Sequence, residues 1–440
     1  MKVEFVGQSS RDTDNLAANT SRLVNCYREV SGGRSAYVLK SCLGLTLFCD
    51  LPGVFVRALE VIDGVLYAVA GGKLYSIAAD GSYSSKGSID DSEATTIAGN
   101  NGYVTVCANG KYYVWDGATL TTPAAGAFSS FGGLEYFGNY TVITEKNGRR
   151  FQWSALADAK TLPGLSFSTA DGRDDNLLRP FFVNGSLYLF GTDSHEVWYL
   201  TGQAGANAFE RMAGGVVDTG LKAFGLICRF AGSAFFIGSD NRAHIIGIGS
   251  PVSTPAVETA IKQGQASHCV SFEDEGHTFC AIVFRDRPAW VYDIASGEWH
   301  ERQDVSGYWS VTATAGKSGD WYAGRDDGRV FLMERANMDA GLPMVREAVS
   351  KTLYGDGGRF TAHEVELFAR AGFIDASLAL ETSRDNGVTW SAPKVRAMVT
   401  GEYARKLNWR ALGQFSQMTV RVSWSEAADV TVDAEARVRT

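Results

Sequence analysis

Between residues 62 and 332 the chain repeats one short pattern seven times: a turn containing glycine, a run of β-formers, a second turn, a second run. The first copy reads Asp63-Gly64-Val65-Leu66-Tyr67-Ala68-Val69-Ala70-Gly71-Gly72-Lys73-Leu74-Tyr75-Ser76-Ile77. The leading glycines are Gly64, Gly102, Gly138, Gly185, Gly232, Gly276 and Gly319, spaced by 38, 36, 47, 47, 44 and 43 residues. Four short strands in a period of roughly 40–45 residues are the signature of a β-propeller. Asp-Gly, Asn-Gly and Gly-Gly suit its hairpins because these residues take φ above zero at little cost. The first unit resolves into strands over 56–62, 65–70, 73–78 and 83–89. Second strands ending on aromatics, as in Tyr112-Tyr113-Val114-Trp115, supply what must pack between blades whose sheets are buried on both faces. A β-sandwich with evenly spaced turns is the rival, but sandwiches rarely repeat one hairpin seven times.

The expected fold is therefore all-β, a β-propeller of six or seven blades with a small C-terminal β domain. Six remains open because a first or last copy can belong to a shared closing blade. Residues 1–54 read as an N-terminal segment for docking and propeller closure, and 55–334 as the propeller. Over 335–354 the pattern breaks into a helical or irregular linker. There Met338, Leu342, Val345 and Val349 recur at helical spacing, limited by Pro343. Residues 355–440 read as a separate β domain, with strands over 365–368, 377–381, 406–409, 418–424 and 430–432.

Composition narrows the function classes. Aromatic residues make up 12% and glycines number 49 against 9 prolines, so the chain is globular and its turns are made by glycine. The net charge of −8 argues against tight neutralisation of nucleic-acid phosphates. From Gly355 to Thr440 eleven basic and eleven acidic residues cancel, so the acidity lies before that segment. The seven cysteines form no CxxC pair and several sit in apolar runs, which reads as buried thiols of a protein made in a reducing compartment. The N-terminus shows no signal peptide, and no window approaches the roughly 18 apolar residues of a membrane span. The N-x-S/T triplets at Asn19, Asn139 and Asn184 are then chance.

The sharpest local motif is Ser383-Arg384-Asp385-Asn386-Gly387-Val388-Thr389-Trp390, a complete S-x-D-x-G-x-T-W Asp box. It reads as a structural hairpin clip built by Ser383, Asp385, Gly387, Thr389 and Trp390. The carboxylate of Asp385 would accept N–H bonds of its own turn, Gly387 would supply a positive φ, and Trp390 would pack beneath. Sialidases carry several such boxes with an arginine triad and a tyrosine–acid pair, and a single box provides none of these. Gly316-Lys317-Ser318 imitates the end of a P-loop, but Val311 stands where its first glycine would be. The histidines (His195, His244, His268, His277, His300 and His363) are scattered. No catalytic, metal-binding or cofactor-binding residues are assigned, and no cofactor is expected.

Four stretches near the N-terminus occur in a telling order. They are Val24-Asn25-Cys26-Tyr27-Arg28-Glu29, Leu43-Gly44-Leu45-Thr46-Leu47-Phe48, Val56-Arg57-Ala58-Leu59 and Gly64-Val65-Leu66-Tyr67-Ala68-Val69. In this order and spacing the chain resembles the packaged DNA stabilisation, or tail hub (tail nozzle), proteins of short-tailed bacteriophages (podoviruses). The C-terminal stretch Ser383–Trp390, with Gly401-Glu402-Tyr403 and Trp409-Arg410, resembles the same family. Arg28 in place of proline, Ser41-Cys42-Leu43 in place of Gly-Thr-Pro and Ala58 in place of glycine mark a divergent member. The resemblance implies a structural virion protein and no enzyme. Copies, typically a hexamer, would form a ring below the portal and adaptor, continue the DNA channel, and retain packaged DNA until ejection. A tail needle, plug or fibre protein would adjoin it, and genomic duplex DNA would pass without sequence-specific binding. Such a protein resides in the virion tail after assembly in the host bacterial cytoplasm. Acidic side chains from before residue 355 would line the channel, since a basic lumen would hold the duplex. Two rivals stand beside this reading. A glycan-binding or glycan-hydrolysing propeller needs an arginine cluster with an acid in the propeller mouth, and a general interaction propeller would be monomeric.

Overall fold

In the computed structural model the described residues are 2–4, 9–10, 19–31, 35–336, 338–355, 358–371, 375–425 and 430–440. Seven blades surround a central cavity. Blade 1 comprises Val56–Ile62, Val65–Ala70, Lys73–Ile77 and Tyr83–Ser88, each antiparallel to the next. Blades 2, 3 and 4 begin with Thr96–Asn100, Phe131–Phe137 and Leu177–Val183 and repeat that four-stranded order. Blade 5 has three strands, Ile227–Phe230, Ser233–Ile237 and Ala243–Ile245. Beside them a helix, Pro255–Gln263, buries Ala256, Val257, Ala260 and Ile261 in the core shared with blade 6. Blade 6 runs from Ala266–Asp274 to Glu298–Arg302, and blade 7 contains Val311–Lys317, Asp320–Arg325 and Arg329–Glu334. Its outer strand is Gly44–Asp50 from the N-terminal side, antiparallel to Arg329–Glu334.

The repeated turn explains why the seven hairpins recur. The pairs Asp63-Gly64, Asn101-Gly102, Gly138-Asn139, Asn184-Gly185, Ala231-Gly232, Glu275-Gly276 and Ser318-Gly319 all have φ above zero at both residues. This is the type I′ geometry whose twist matches that of the flanking strands. Among the described residues, seven separate apolar clusters lie between successive blades, one per gap. Phe151, Trp153, Trp198 and Phe209 fill the gap between blades 3 and 4, and burying one such side chain contributes about 1.5–3 kcal/mol.

An eighth cluster is the core of a C-terminal β-sandwich. One of its sheets has the order Lys2–Glu4, Glu435–Arg439, Phe360–Arg370, Thr431–Asp433, Tyr37–Ser41, Cys26–Val30, with Arg405–Phe415 also on Phe360–Arg370. The other has the order Arg22–Val24, Arg346–Val349, Gln417–Trp424, Ala376–Ser383, Lys394–Met398. This second sheet continues blade 6, because Val24 pairs in parallel with Glu301. The chain thus starts in the sandwich, crosses to close blade 7, circles the propeller and returns.

Residues 335–354 are expected as a helical or irregular linker, and among the described residues no helix forms there. Met338–Asp339 and Leu342–Pro343 make a small hairpin through Ala340 and Gly341, both at positive φ. Arg346–Val349 is a sandwich strand between Arg22–Val24 and Gln417–Trp424. The helical spacing of the apolar residues is overridden by Gly341 and Pro343, which break the turn of helix between them. The sheet then buries Arg346 and Ala348 on one face.

Candidate functional site

Three places concentrate polar chemistry: the Asp box, the seam between propeller and sandwich, and the propeller's central cavity. The Asp box lies in the connection between Ala376–Ser383 and Lys394–Met398. Asp385 Oδ1 accepts the Thr389 N–H at 2.8 Å, and Oδ2 accepts the Thr389 hydroxyl at 2.6 Å. The Ser383 hydroxyl donates to Asp385 Oδ1 at 2.7 Å and accepts the Gly387 N–H at 2.9 Å. Gly387 stands at φ 83° after Asn386 at φ 57°. These hydrogen bonds hold the Asp385 carboxyl down at about 2. A carboxylate so fully engaged by its own turn is a clip rather than a proton-transfer group. Trp390 lies under the guanidinium of Arg421, 4.3 Å from its ring centroid.

Arg421 leads from the clip into the seam. It pairs with Glu381 at 2.7 Å and Glu347 at 3.6 Å, and Glu347 lies 3.6 Å from Arg22. Arg22 forks onto Glu301 of blade 6, with Nε and Nη2 donating at 2.9 and 2.7 Å. The ion-pair chain therefore runs from blade 6 to the Asp box, crossing the seam where the sheet is continuous.

The Val24–Glu29 stretch supplies the centre of this seam. Asn25, at φ 54°, donates through Nδ2 to the carbonyls of Gln303 and Val345 at 2.9 and 2.8 Å. Its Oδ1 accepts the Gln303 N–H at 3.0 Å. Tyr27 stands edge-on to Phe279 of blade 6 and donates to Asp274, which also receives Arg335 at 2.6 Å. Arg28 pairs with Glu298 at 2.7 Å and covers the Tyr37 ring. Beneath them His300 is buried and its side chain pushed down to about 3, chiefly by loss of solvent. The sequence singled out this stretch as a resemblance but assigned it no role. The signal within it is an asparagine between apolar residues, a residue type that tolerates left-handed backbone.

The central cavity, about 890 Å³, is walled by the first strands of the blades. Arg229 of blade 5 reaches past blade 4 to pair with Glu135 of blade 3 at 2.7 Å. Arg57 of blade 1 is held by Asp91 at 2.9 Å. Glu60 is pushed up to about 7 by burial, against the pull of Arg229. The volume is that of a small-molecule site, which typically spans roughly 300–1,000 Å³.

A propeller closed by an N-terminal strand and joined through one continuous sheet to a β-sandwich defines an all-β structural module. The sequence matches the family model of the bacteriophage P22 Gp10 β-propeller over residues 6–332, and that of the P22 Gp10 β-sandwich over residues 345–439. The chain belongs to the bacteriophage P22 Gp10 family of phage stabilisation proteins, which are structural proteins of the virion and not enzymes. Among curated proteins none matches the sequence. Among solved structures the chain is similar to the computationally designed Ika8 protein (17% identity, TM-score 0.44, 66% of this chain and 99% of that one). It is also similar to a chain of the mitotic checkpoint complex (14% identity, TM-score 0.47, 67% and 94%). A third is the WD40 repeat domain of RRP9 (9% identity, TM-score 0.45, 67% and 99%).

Proposed function

We propose that six copies of this chain form a ring below the portal and adaptor of a short-tailed phage. The ring continues the DNA channel, adjoins a needle, plug or fibre protein, and retains packaged DNA until ejection. The observation that carries this reading is the match of both family models, which together span most of the chain.

The geometry supports one refinement. The propeller's own cavity is of small-molecule size and is crossed by the Arg229–Glu135 pair, so a duplex passes between protomers and not through a propeller. The net charge of −8, all of it outside residues 355–440, suits a lumen that lets phosphates slide. The seam stiffens each subunit, so weak contacts repeated around a ring add up once a portal–adaptor complex templates them.

Negative-stain imaging of the purified chain with a portal–adaptor complex tests the proposal. Rings of six with a central hole are expected. Monomers that persist in the presence of the complex would overturn the ring, and a reconstruction with a lysine- and arginine-lined lumen would overturn the acidic channel.

A further inference from the structure

The propeller's central cavity holds a cation that makes no ion pair among the described residues; Glu135, engaged by Arg229, acts on it only at longer range. Arg179, on the first strand of blade 4, lines the cavity with its guanidinium against the rings of Phe181 and Phe224, 5.4 and 5.2 Å from their centroids. Nη1 makes one long bond, 3.5 Å, to the Phe224 carbonyl, and Nε is buried without a partner. Among the described residues no carboxylate lies within ion-pairing distance of it. The other cavity arginines are engaged, Arg229 by Glu135 and Arg57 by Asp91. Of the cavity acids, Glu135 is taken by Arg229, Glu93 is paired with Arg285 at 2.8 Å, Glu60 is pushed up to about 7 by burial, and Asp63 and Glu273 are exposed. Burial lowers Arg179 to about 10, which leaves it charged at neutral pH.

The cradle depends on a missing side chain. A Cβ on Gly133 of blade 3 would lie 2.8 Å from Arg179 Cβ and 3.2 Å from the Phe224 ring. Gly133 thus makes the room in which guanidinium and ring lie side by side. A guanidinium held by one long carbonyl bond and no carboxylate matches a planar carboxylate, and the flanking aromatic faces match an apolar body. A dianion such as phosphate suits the site less, because Glu135 already lies within the same cluster.

We propose that the central cavity binds a small monocarboxylate with an apolar body. Its carboxylate accepts hydrogen bonds from Arg179, and its body lies against Phe181 and Phe224. This site is separate from the tail role and stands or falls without it.

Isothermal titration of the full chain with benzoate, and with the neutral isostere benzamide, tests the assignment. Benzoate is expected to bind at least tenfold more tightly than benzamide, and Arg179→Met is expected to abolish the difference. Equal binding of the two, no binding of benzoate, or benzoate binding undiminished in a folded Arg179→Met variant would overturn it. Should that variant not fold, a crystal structure of the wild type with benzoate decides. A carboxylate on Arg179 supports the site, and benzoate elsewhere or absent overturns it.

Discussion

At the scale of single residues, two left-handed positions show opposite uses of the same backbone. Asn25 at φ 54° turns the chain between two sandwich strands, and its amide joins three segments through Gln303 and Val345. Asn25→Ala removes three hydrogen bonds, to the half-buried Gln303 backbone and the Val345 carbonyl. It also places a Cβ without polar compensation in the left-handed region. We expect a loss of about 3–4 kcal/mol, read as a lower midpoint in urea denaturation. Ser318, exposed at φ 54°, occupies the turn position that Asn101 and Asn184 fill at φ 49° and 47° in blades 2 and 4. Asparagine tolerates that conformation better than serine, so Ser318→Asn should stabilise the chain by up to about 1 kcal/mol in the same assay. These turns are the part of the fold most legible in the sequence. The glycine beside each positive-φ partner recurs at the blade period, and period and turn type together specify a propeller.

At the scale of elements, legibility ended where a local pattern competed with the sheet. The spacing of Met338, Leu342, Val345 and Val349 is helical, yet Arg346–Val349 completes a sandwich sheet. The Thr254-Pro255 start signal of the helix Pro255–Gln263 was present but unread, and only its apolar face against blades 5 and 6 explains its survival. The Asp box was legible because its bonds are local, within seven residues. Asp385 is depressed to about 2, below its value in an unfolded chain, so its contribution is present above pH 4 and is lost as pH falls towards 2. We expect Asp385→Ala to raise hydrogen exchange in residues 383–390 at pH 7 and to leave the propeller's exchange unchanged; uniform exchange would show that the clip is dispensable. The strand Glu298–Arg302 adds a contribution of the same sign in a higher pH window. His300 is buried and neutral, with Arg302 and His277 disfavouring its charge and Asp293 favouring it. The unfolded chain takes up this proton below about 6.5, so stability falls with pH between 6.5 and 3. One proton sets a slope of up to about 1.4 kcal/mol per pH unit. His300→Phe should flatten that slope, and an unchanged slope would assign the acid sensitivity elsewhere.

At the scale of the whole molecule, the question is whether propeller and sandwich move as one. Domains of a chain generally shift against each other unless their interface is extensive and apolar. Here the connection is of a different kind: a ladder that runs from blade 6 through Arg22–Val24 into Arg346–Val349, with Glu301, Arg22, Glu347 and Arg421 paired along it. Backbone pairing fixes register, which apolar contact alone does not. The N-terminal segment also contributes strands to both modules, Cys26–Val30 and Tyr37–Ser41 to the sandwich and Gly44–Asp50 to blade 7, which adds to the coupling across the seam. The continuous sheet was not legible in the sequence, because Arg22–Val24 is only three residues long and its partners lie more than 270 residues away. The consequence is a single cooperative unfolding transition for the intact chain in calorimetry, with the van't Hoff and calorimetric enthalpies equal. Arg22→Met keeps the apolar stem but leaves Glu301, itself buried, without its forked partner. Removing one member of such a pair costs about 3 kcal/mol. That cost falls on the seam and not on the blade clusters or the sandwich core. The variant should therefore unfold in two steps, the sandwich first, while a wild type that already unfolds in two steps would mean that the continuous sheet does not couple the modules.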